Sequence, residues 1–426
     1  MSIPGFLKVR AGALFVAFCV AHSVAFAASD WPEFRGPGHQ GVSDAKRLPL
    51  FWNAVPGTPA SNIVWRTTIP GQGWSSPALR AGRLYLTSAI KAGDQEGLRL
   101  VALCVDAKSG RVLWQTEVFN ATKVPGIHQK NGNASPTPIV EKDRVFVHFG
   151  HFGTASLDLR GRVLWKTSEL AYVPIHGNGG SPAVVDDLLV FSCDGAEDPF
   201  VVALEKSTGK VRWKTLRVTD AKRKFSFCTP TVIELEGRKQ IISPGSGAVC
   251  AYDPKDGREL WRVRYGEGYS VVPRPVYAGG LLYIATGYDR PMVMAIKPGG
   301  SGDVTDTHVV WKETRGAPNT PSLLFHDQRL YMVSDSGMVT CVDAATGAQL
   351  WQERAGGNYS ASPLWADGRI YLQNEEGVGI VIGSGNAFEV LAKNDMGERS
   401  LASYAVTDGA LFIRTASQLF RVGTRR

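Results

Sequence analysis

Three sets of residues in this chain have types and spacing that could do chemistry. The first is Gly36, Gly38 and Gly41 in "EFRGPGHQG", which match G-x-G-x-x-G. In a dinucleotide site such glycines sit between a strand and a helix, so that the helix N-terminus can receive a pyrophosphate. Here only "ASDWPEF" precedes them, and Pro49, Pro56 and Pro59 follow, each removing a backbone donor and clashing with the preceding turn. With neither strand nor helix available, the stretch reads as an irregular arm in which Trp31, Phe34 and Trp52 are packing anchors. The second set is His148 and His151, spaced closely enough to suggest a metal. His148 alternates with Phe146 within a strand-like run, so the two imidazoles need not converge, and structural roles are expected. The third is the cysteines at 104, 193, 228, 250 and 341, which are scattered among apolar residues with no C-x-x-C pair. Buried thiols are expected, with a Cys193–Cys228 disulfide left open. No G-x-S-x-G, H-E-x-x-H or P-loop occurs.

The elements that must position any site announce themselves by repetition. "DAKSGRVLWQT" from Asp106 returns as "DLRGRVLWKT" from Asp158, "EKSTGKVRWKT" from Glu205, "DPKDGRELWRV" from Asp253 and "DAATGAQLWQE" from Asp343. Gly precedes Trp by four residues each time, at Gly110/Trp114, Gly161/Trp165, Gly209/Trp213, Gly257/Trp261 and Gly347/Trp351. An acidic or small residue plus Gly makes a tight turn, and the alternating apolar residues after it make a strand ending on an aromatic anchor. Trp65 and Trp311 extend the series, and Leu391 falls where another member would be. Between the tryptophans lies a second marker, Ser/Thr-Pro-apolar or a variant of it, at Pro77, Pro138, Pro182, Pro230, Pro275, Pro321, Pro363 and, degenerately, Tyr404.

Four strands in every ~40–50 residues is the pattern of propeller blades. The expected fold is therefore all-β: an eight-bladed β-propeller of four-stranded antiparallel blades. The last unit supplies only three strands, while "NIVWRTTIP" around Trp65 is an orphan, so this N-terminal strand is expected to close the ring by pairing with Gln418 to Gly423. The expected organisation is a signal peptide at 1–27, an irregular arm at 28–61 and the propeller at 62–426. The signal peptide is read from Lys8 and Arg10, the apolar "AGALFVAFCV" and the small-residue Ala25-Phe26-Ala27. Without Lys8 and Arg10 the formal charge falls from +8 to +6. That excess is spread thinly, and its tightest cluster, Lys222-Arg223-Lys224, reads as a solvated loop, so nucleic acid is not expected as a partner.

The Ala/Val-x-Asp-x-x-Thr/Ser-Gly-Lys/Arg-x-x-Trp unit resembles the PQQ-like (quinoprotein) β-propeller repeat from Asn62 to Arg426. With "WPEFRGPGHQG", "HGNGGSP", "ISPGSGAVCAYDP", "GYDRP" and "GAPNTPSLL", the chain is similar to exported PQQ-like propellers of planctomycete-type bacteria. More distantly it resembles the quinoprotein alcohol dehydrogenases, which are enzymes, and the BamB-like outer-membrane assembly proteins, which are scaffolds. The dehydrogenase resemblance implies PQQ held by a vicinal Cys-Cys disulfide, a stacking Trp, a Glu/Asn/Asp calcium site and a catalytic Asp. No two cysteines are adjacent here.

Propeller loops from the outer strand to the next inner strand share one face with the second-to-third-strand loops, around a central funnel. Polar residues collect at these positions, and loop tips on a rigid scaffold are where binding groups are expected. The candidate ligand-binding residues are His128, Asn133, His176, Asn178, Asp194, Tyr269, Arg274, Asp289, Arg290, Asn319, Asn358 and Tyr359. No catalytic residue, metal or cofactor is expected. The function expected is a non-catalytic binding or scaffold module, monomeric, periplasmic or secreted, whose partner is a protein or cell-envelope polymer. The alternative is a PQQ- and calcium-dependent oxidoreductase.

Overall fold

A computed structural model of the chain describes Met1 and residues 30–93, 97–170 and 172–424. The expected signal peptide lies outside the described residues. Eight antiparallel sheets of four strands follow one another around a ring. Blade 1 comprises Ala78–Arg80, Arg83–Lys91, Leu98–Asp106 and Val112–Ala121. Blades 2 to 7 repeat this order, their first strands beginning at Ile139, Ala183, Thr231, Val276, Leu324 and Leu364. Blade 8 takes three strands from Ala405–Thr407, Ala410–Arg414 and Gln418–Gly423, and its fourth from Ile63–Thr68. Trp65 pairs with Arg421 and Thr68 with Gln418 in that closing ladder, which leaves the ring without a seam.

Short first strands line the channel, and those of blades 1 and 2, 3 and 4, 5 and 6, 6 and 7, and 8 and 1 neighbour one another there. Second and third strands, such as Leu188–Cys193 and Phe200–Glu205, are apolar almost throughout because neighbouring blades cover both faces. Fourth strands, such as Val211–Leu216, alternate because one face meets water.

The glycine and tryptophan of the repeat turn out to be one device shared between blades. A Cβ added at Gly110 would sit 2.7 Å from the Trp65 ring, one at Gly161 2.7 Å from Trp114, and one at Gly209 2.4 Å from Trp165. Each of these tryptophans, like Trp213 at Gly257 and Trp311 at Gly347, therefore packs on the turn glycine of the following blade. Its indole N–H donates to a turn carbonyl there, as in Trp114 to Leu159 O (3.0 Å) and Trp213 to Pro254 O (2.8 Å). A bulge just before each tryptophan turns the ring toward that neighbour. Trp261, Trp213, Trp351 and Trp311 are buried, whereas Trp65, Trp114 and Trp165 are half-buried. Trp261 is the exception in its bonding, donating to Gln240 Oε1 of its own blade at 2.8 Å. Blade 5 has no Gly-x-x-x-Trp turn to receive it. In its place residues 297–308 form an insertion that lays Gly302–Asp303 parallel to the outer strand of blade 4.

The Ser/Thr marker has an equally specific purpose. Two residues before each first strand stand Ser76, Thr137, Ser181, Thr229, Arg274, Ser322, Ser362 and Ser403. The amide of Ser76 donates to Thr137 Oγ1 (3.0 Å), Thr137 to Ser181 Oγ (2.9 Å) and Ser181 to Thr229 Oγ1 (2.9 Å). The series resumes from Arg274 to Ser322 (3.0 Å), Ser322 to Ser362 (3.0 Å), Ser362 to Ser403 (2.9 Å) and Ser403 back to Ser76 (3.1 Å). A belt of hydroxyls thus laces the blades around the throat, interrupted where Arg274 replaces a hydroxyl. The marker read at Pro321 is two residues early: Leu323 occupies that blade's proline position, and Ser322 supplies its hydroxyl.

The arm is a plug rather than an appendage. Trp31 pairs with Leu79 of blade 1, Pro32 O accepts the amide of Val140 in blade 2, Gln40 Nε2 reaches Tyr277 O in blade 5, and Val42–Ser43 runs parallel to the first strand of blade 7. The chain crosses the channel from one side to the other in this stretch. Its glycines serve packing: a Cβ at Gly36 would lie 2.4 Å from Trp31, and one at Gly41 2.9 Å from the Arg35 guanidinium, and both residues hold positive φ. Farther along, Trp52 stacks on Tyr371 at 6.4 Å and joins the cluster containing Leu391, where blade 7 lacks its siblings' tryptophan.

A candidate binding funnel

Above the throat the loops enclose a cavity of about 820 Å³. Its floor is the hydroxyl belt, with Phe34 of the arm among its lining residues. The outer-to-inner loops before each first strand supply most of the wall, because the Ser/Thr positions fix where each loop must enter the throat. Tyr288 and Asp335 come from second-to-third-strand loops.

One side of the wall is aromatic. His128 meets His176 edge-on at 5.5 Å, His176 meets Phe225 at 5.3 Å, Phe225 meets Tyr269 at 5.4 Å, and Tyr269 lies 6.3 Å from Tyr288. Burial, with His128 nearby, holds the His176 imidazole below its ordinary pKa, so it favours the neutral form. The Arg223 guanidinium lies 4.6 Å from the centre of the Tyr269 ring and bonds its hydroxyl.

The other side is charged, and its charges are paired with one another. Lys130 reaches from the loop between blades 1 and 2 to Glu375 Oε1 at 2.8 Å and Asp335 Oδ1 at 4.0 Å. Burial works against its charge, but these two carboxylates outweigh burial and hold its pKa above the ordinary value. Asp335 also accepts from the amides of Asn319 and Thr320 and from Thr320 Oγ1. Arg399 stands 3.9 Å from Glu375, donates to Gln129 O and lies over Trp74 at 5.8 Å.

Of the twelve residues expected here, His128, His176, Tyr269 and Asn319 line the cavity. Asp289 stands behind that wall, 3.4 Å from the Tyr269 hydroxyl and 3.9 Å from Arg223. Arg290 is exposed on the same loop, and exposed Asn358 bonds Glu376. Asn133, half-buried in the loop before blade 2, is not part of the wall.

Four residues are placed differently from expectation. Asn178 is buried, taking the Tyr172 hydroxyl at 2.6 Å and donating to Phe149 O. Asp194 is buried against Arg217 at 2.8 Å; burial pushes its pKa up to about 6, and Arg217 opposes that shift. Arg217 ties the pair to Ser192 and to Ser243 of the next blade. Arg274 points into the channel rather than the funnel, and Tyr359 is fully buried. Asn178, Asp194 and Arg274 sit on the expected loops but turn their side chains inward onto backbone or ionic partners, whereas the buried Tyr359 hydroxyl has no hydrogen-bond partner among the described residues.

Phe34, Trp74, Lys130, Arg223, Phe225, Phe227 and Tyr288 line the site without having been expected there. The "KFSF" run and Trp74 directly precede Ser/Thr-Pro markers, a position that could have flagged them. Arg223 belonged to the cluster read as a solvated loop, yet it folds onto Tyr269. His148 bonds Thr154 Oγ1 at 2.8 Å and His151 contacts Asn178 at 3.1 Å, so each has a partner of its own. All five described cysteines are buried free thiols, and Cys193 and Cys228 are not joined. No helix of the described residues is long and apolar enough to cross a membrane.

The ring of eight blades, the inter-blade Gly–Trp lock and a loop-built funnel define a propeller of PQQ-like repeats. The family described as outer membrane protein assembly factor BamB matches residues 57–172, 173–326 and 302–388, and the chain belongs to it. Among curated relatives, tetrathionate hydrolase of Acidithiobacillus ferrooxidans is 22% identical over 293 residues, 64% of this chain and 52% of that protein. The chain thus spans about half the length of that relative. Among solved structures, BamB from Moraxella catarrhalis superposes with a TM-score of 0.59 at 14% identity, covering 84% of this chain and 99% of that one. A quinohemoprotein alcohol dehydrogenase from Pseudomonas putida HK5 superposes at 0.65 with 12% identity, covering 94% and 81%. At these identities the likeness is one of fold.

Proposed function

We propose that this chain is a non-catalytic binding or scaffold propeller of the periplasm or cell exterior, which holds a protein segment or envelope polymer in its funnel. The observation that carries this reading is that the funnel's charges are committed to each other. Lys130, Asp335, Glu375 and Arg399 form one network, and Arg223 is committed to Tyr269. A general acid or base works best with a pKa moved toward the working pH and a free path to substrate. Lys130 is moved the other way. What the wall offers instead is aromatic surface and a belt of hydroxyls, suited to stacking and hydrogen bonding with an extended ligand. Membership of the BamB family supports a protein partner. The residues first expected to bind retain that role here only where they line or back the wall: His128, His176, Tyr269, Asn319 and Asp289.

The second reading, a quinone-dependent oxidoreductase, draws on the likeness to the alcohol dehydrogenase and on Trp74, an indole in the funnel wall. The remaining residues do not fit that cofactor. The thiols are separate and buried, and the funnel carboxylates face an ammonium and amides where a calcium cage needs uncommitted oxygens.

The test is calorimetric titration of the protein with muropeptides, with peptides from outer-membrane β-barrel strands, with tetrathionate, and with PQQ plus Ca²⁺, followed by dye reduction with alcohols. Binding of a peptide or muropeptide that is lost in a Phe225→Ala/Tyr269→Ala variant is expected. Quinone binding with dye reduction, or turnover of tetrathionate, would replace the scaffold reading with an enzymatic one.

A further inference from the structure

Beneath the funnel floor the channel holds more positive charge than the described residues neutralise. Arg35 of the arm and Arg274 of blade 5 are 2% and 1% exposed. Arg35 Nη2 donates to Gln40 O (2.6 Å) and Leu323 O (2.5 Å), and its Nε to His39 O (3.3 Å). Arg274 donates from Nε to Pro230 O (3.1 Å) and Thr231 Oγ1 (3.3 Å), and from Nη1 to Phe34 O (2.7 Å). Both guanidinium groups therefore converge where the arm crosses blades 5 and 6. Among the described residues the one carboxylate paired here is Glu33, 3.5 Å from Arg274 and 3.1 Å from His39. Among the described residues Arg35 has no carboxylate partner, and two buried nitrogens, Arg35 Nη1 and Arg274 Nη2, have no hydrogen-bond partner. An unpaired buried cation is costly unless an anion joins it.

We propose that this channel binds a small monovalent inorganic anion, chloride or an equivalent halide, through Arg35 Nη1 and Arg274 Nη2. The ion supplies the missing negative charge and fastens the arm to the inner strands of blades 5 and 6. Burial and the neighbouring Arg274 charge together push the Arg35 pKa down to about 9, the direction expected where a counter-charge is wanting.

The test uses the full-length protein in halide-free buffer, titrated with bromide at constant ionic strength maintained by gluconate, a far larger anion than a halide. A saturable rise in Tm is expected, together with an anomalous bromide peak between Arg35 and Arg274 in soaked crystals. Arg35→Met leaves Arg274 balanced by Glu33 and is expected to abolish the halide response. A wild-type Tm indifferent to bromide, an Arg35→Met response equal to that of wild type, or a water at the site in bromide-soaked crystals would each overturn the proposal. Should Arg35→Met not fold, the wild-type diffraction experiment decides the matter.

Discussion

The imidazole of His148 is fully buried in blade 2, with Nδ1 2.8 Å from Thr154 Oγ1 and its ring 4.3 Å from Phe191. Burial, reinforced by His151, pushes its pKa down to about 3 from an ordinary 6.5. The unfolded chain therefore binds a proton that the folded chain refuses, throughout that window. Stability should be unaffected by this group above about pH 6.5 and fall by about 1.4 kcal/mol per pH unit below it, levelling off near the folded value. In chemical denaturation between pH 7 and 4, His148→Gln should lose part of the acid slope seen in wild type. An unchanged slope would show that other groups govern acid unfolding. Tryptophan burial sets the rank of three substitutions at this scale. The sequence made Trp165 and Trp261 anchors of the repeat and Trp52 a packing anchor of the irregular arm; Trp52 is 3% exposed, Trp261 fully buried and Trp165 half-buried. Trp52→Ala and Trp261→Ala should each cost about 3–5 kcal/mol, and Trp165→Ala less. Urea midpoints that rank Trp165→Ala as the most damaging would contradict this order.

Between neighbouring blades, stability rests on two contacts that the sequence displayed without explaining. The Gly-x-x-x-Trp spacing was legible as a turn and a strand, because positive φ and alternation are local properties. That the glycine of one blade is the seat for the tryptophan of the previous blade was not, since it joins residues about forty positions apart. Gly209, at φ +73 and with its would-be Cβ 2.4 Å from Trp165, should tolerate alanine poorly. A loss of about 2–4 kcal/mol is expected for Gly209→Ala, against about 1 kcal/mol at Gly237, which shares the positive φ but has no neighbour within 4 Å. A loss at Gly237→Ala as large as at Gly209→Ala would mean that φ alone, and not the seat for Trp165, sets the cost. The Ser/Thr marker was likewise read as a strand start, while its hydroxyl's role as acceptor for the preceding blade's amide required the closed ring. Ser362→Ala leaves the buried Ser322 amide without its acceptor and should cost about 1–3 kcal/mol, measurable as a lowered Tm. The funnel was half legible for the same reason. Loop membership follows from counting blades, but whether a side chain faces the cavity or the interior depends on partners such as Arg217 for Asp194.

As a whole, the molecule is closed twice by its own N-terminal segment. Residues Ile63–Thr68 complete blade 8, and residues 31–43 cross the channel on the way there. The closing strand was visible in the sequence, because a three-stranded last unit and an orphan strand at the start imply each other. The plug was not, because its contacts with blades 1, 2, 5 and 7 carry no periodic signal. These two closures should fail differently. Removing residues 416–426 deletes the third strand of blade 8 and bares the edges of Ile63–Thr68 and Ala410–Arg414, which are templates for intermolecular pairing. That variant should aggregate, as size-exclusion chromatography with light scattering would show. Removing residues 30–43 instead leaves every blade four-stranded and the ring intact, but opens the channel below Phe34 and strips Arg274 of Glu33 and of the Phe34 carbonyl. It should remain monomeric with a lower Tm. If the first variant stays monomeric and fully stable, the strand around Trp65 is not the clasp of the ring; if the second aggregates as readily as the first, the arm belongs to the closure rather than to the channel.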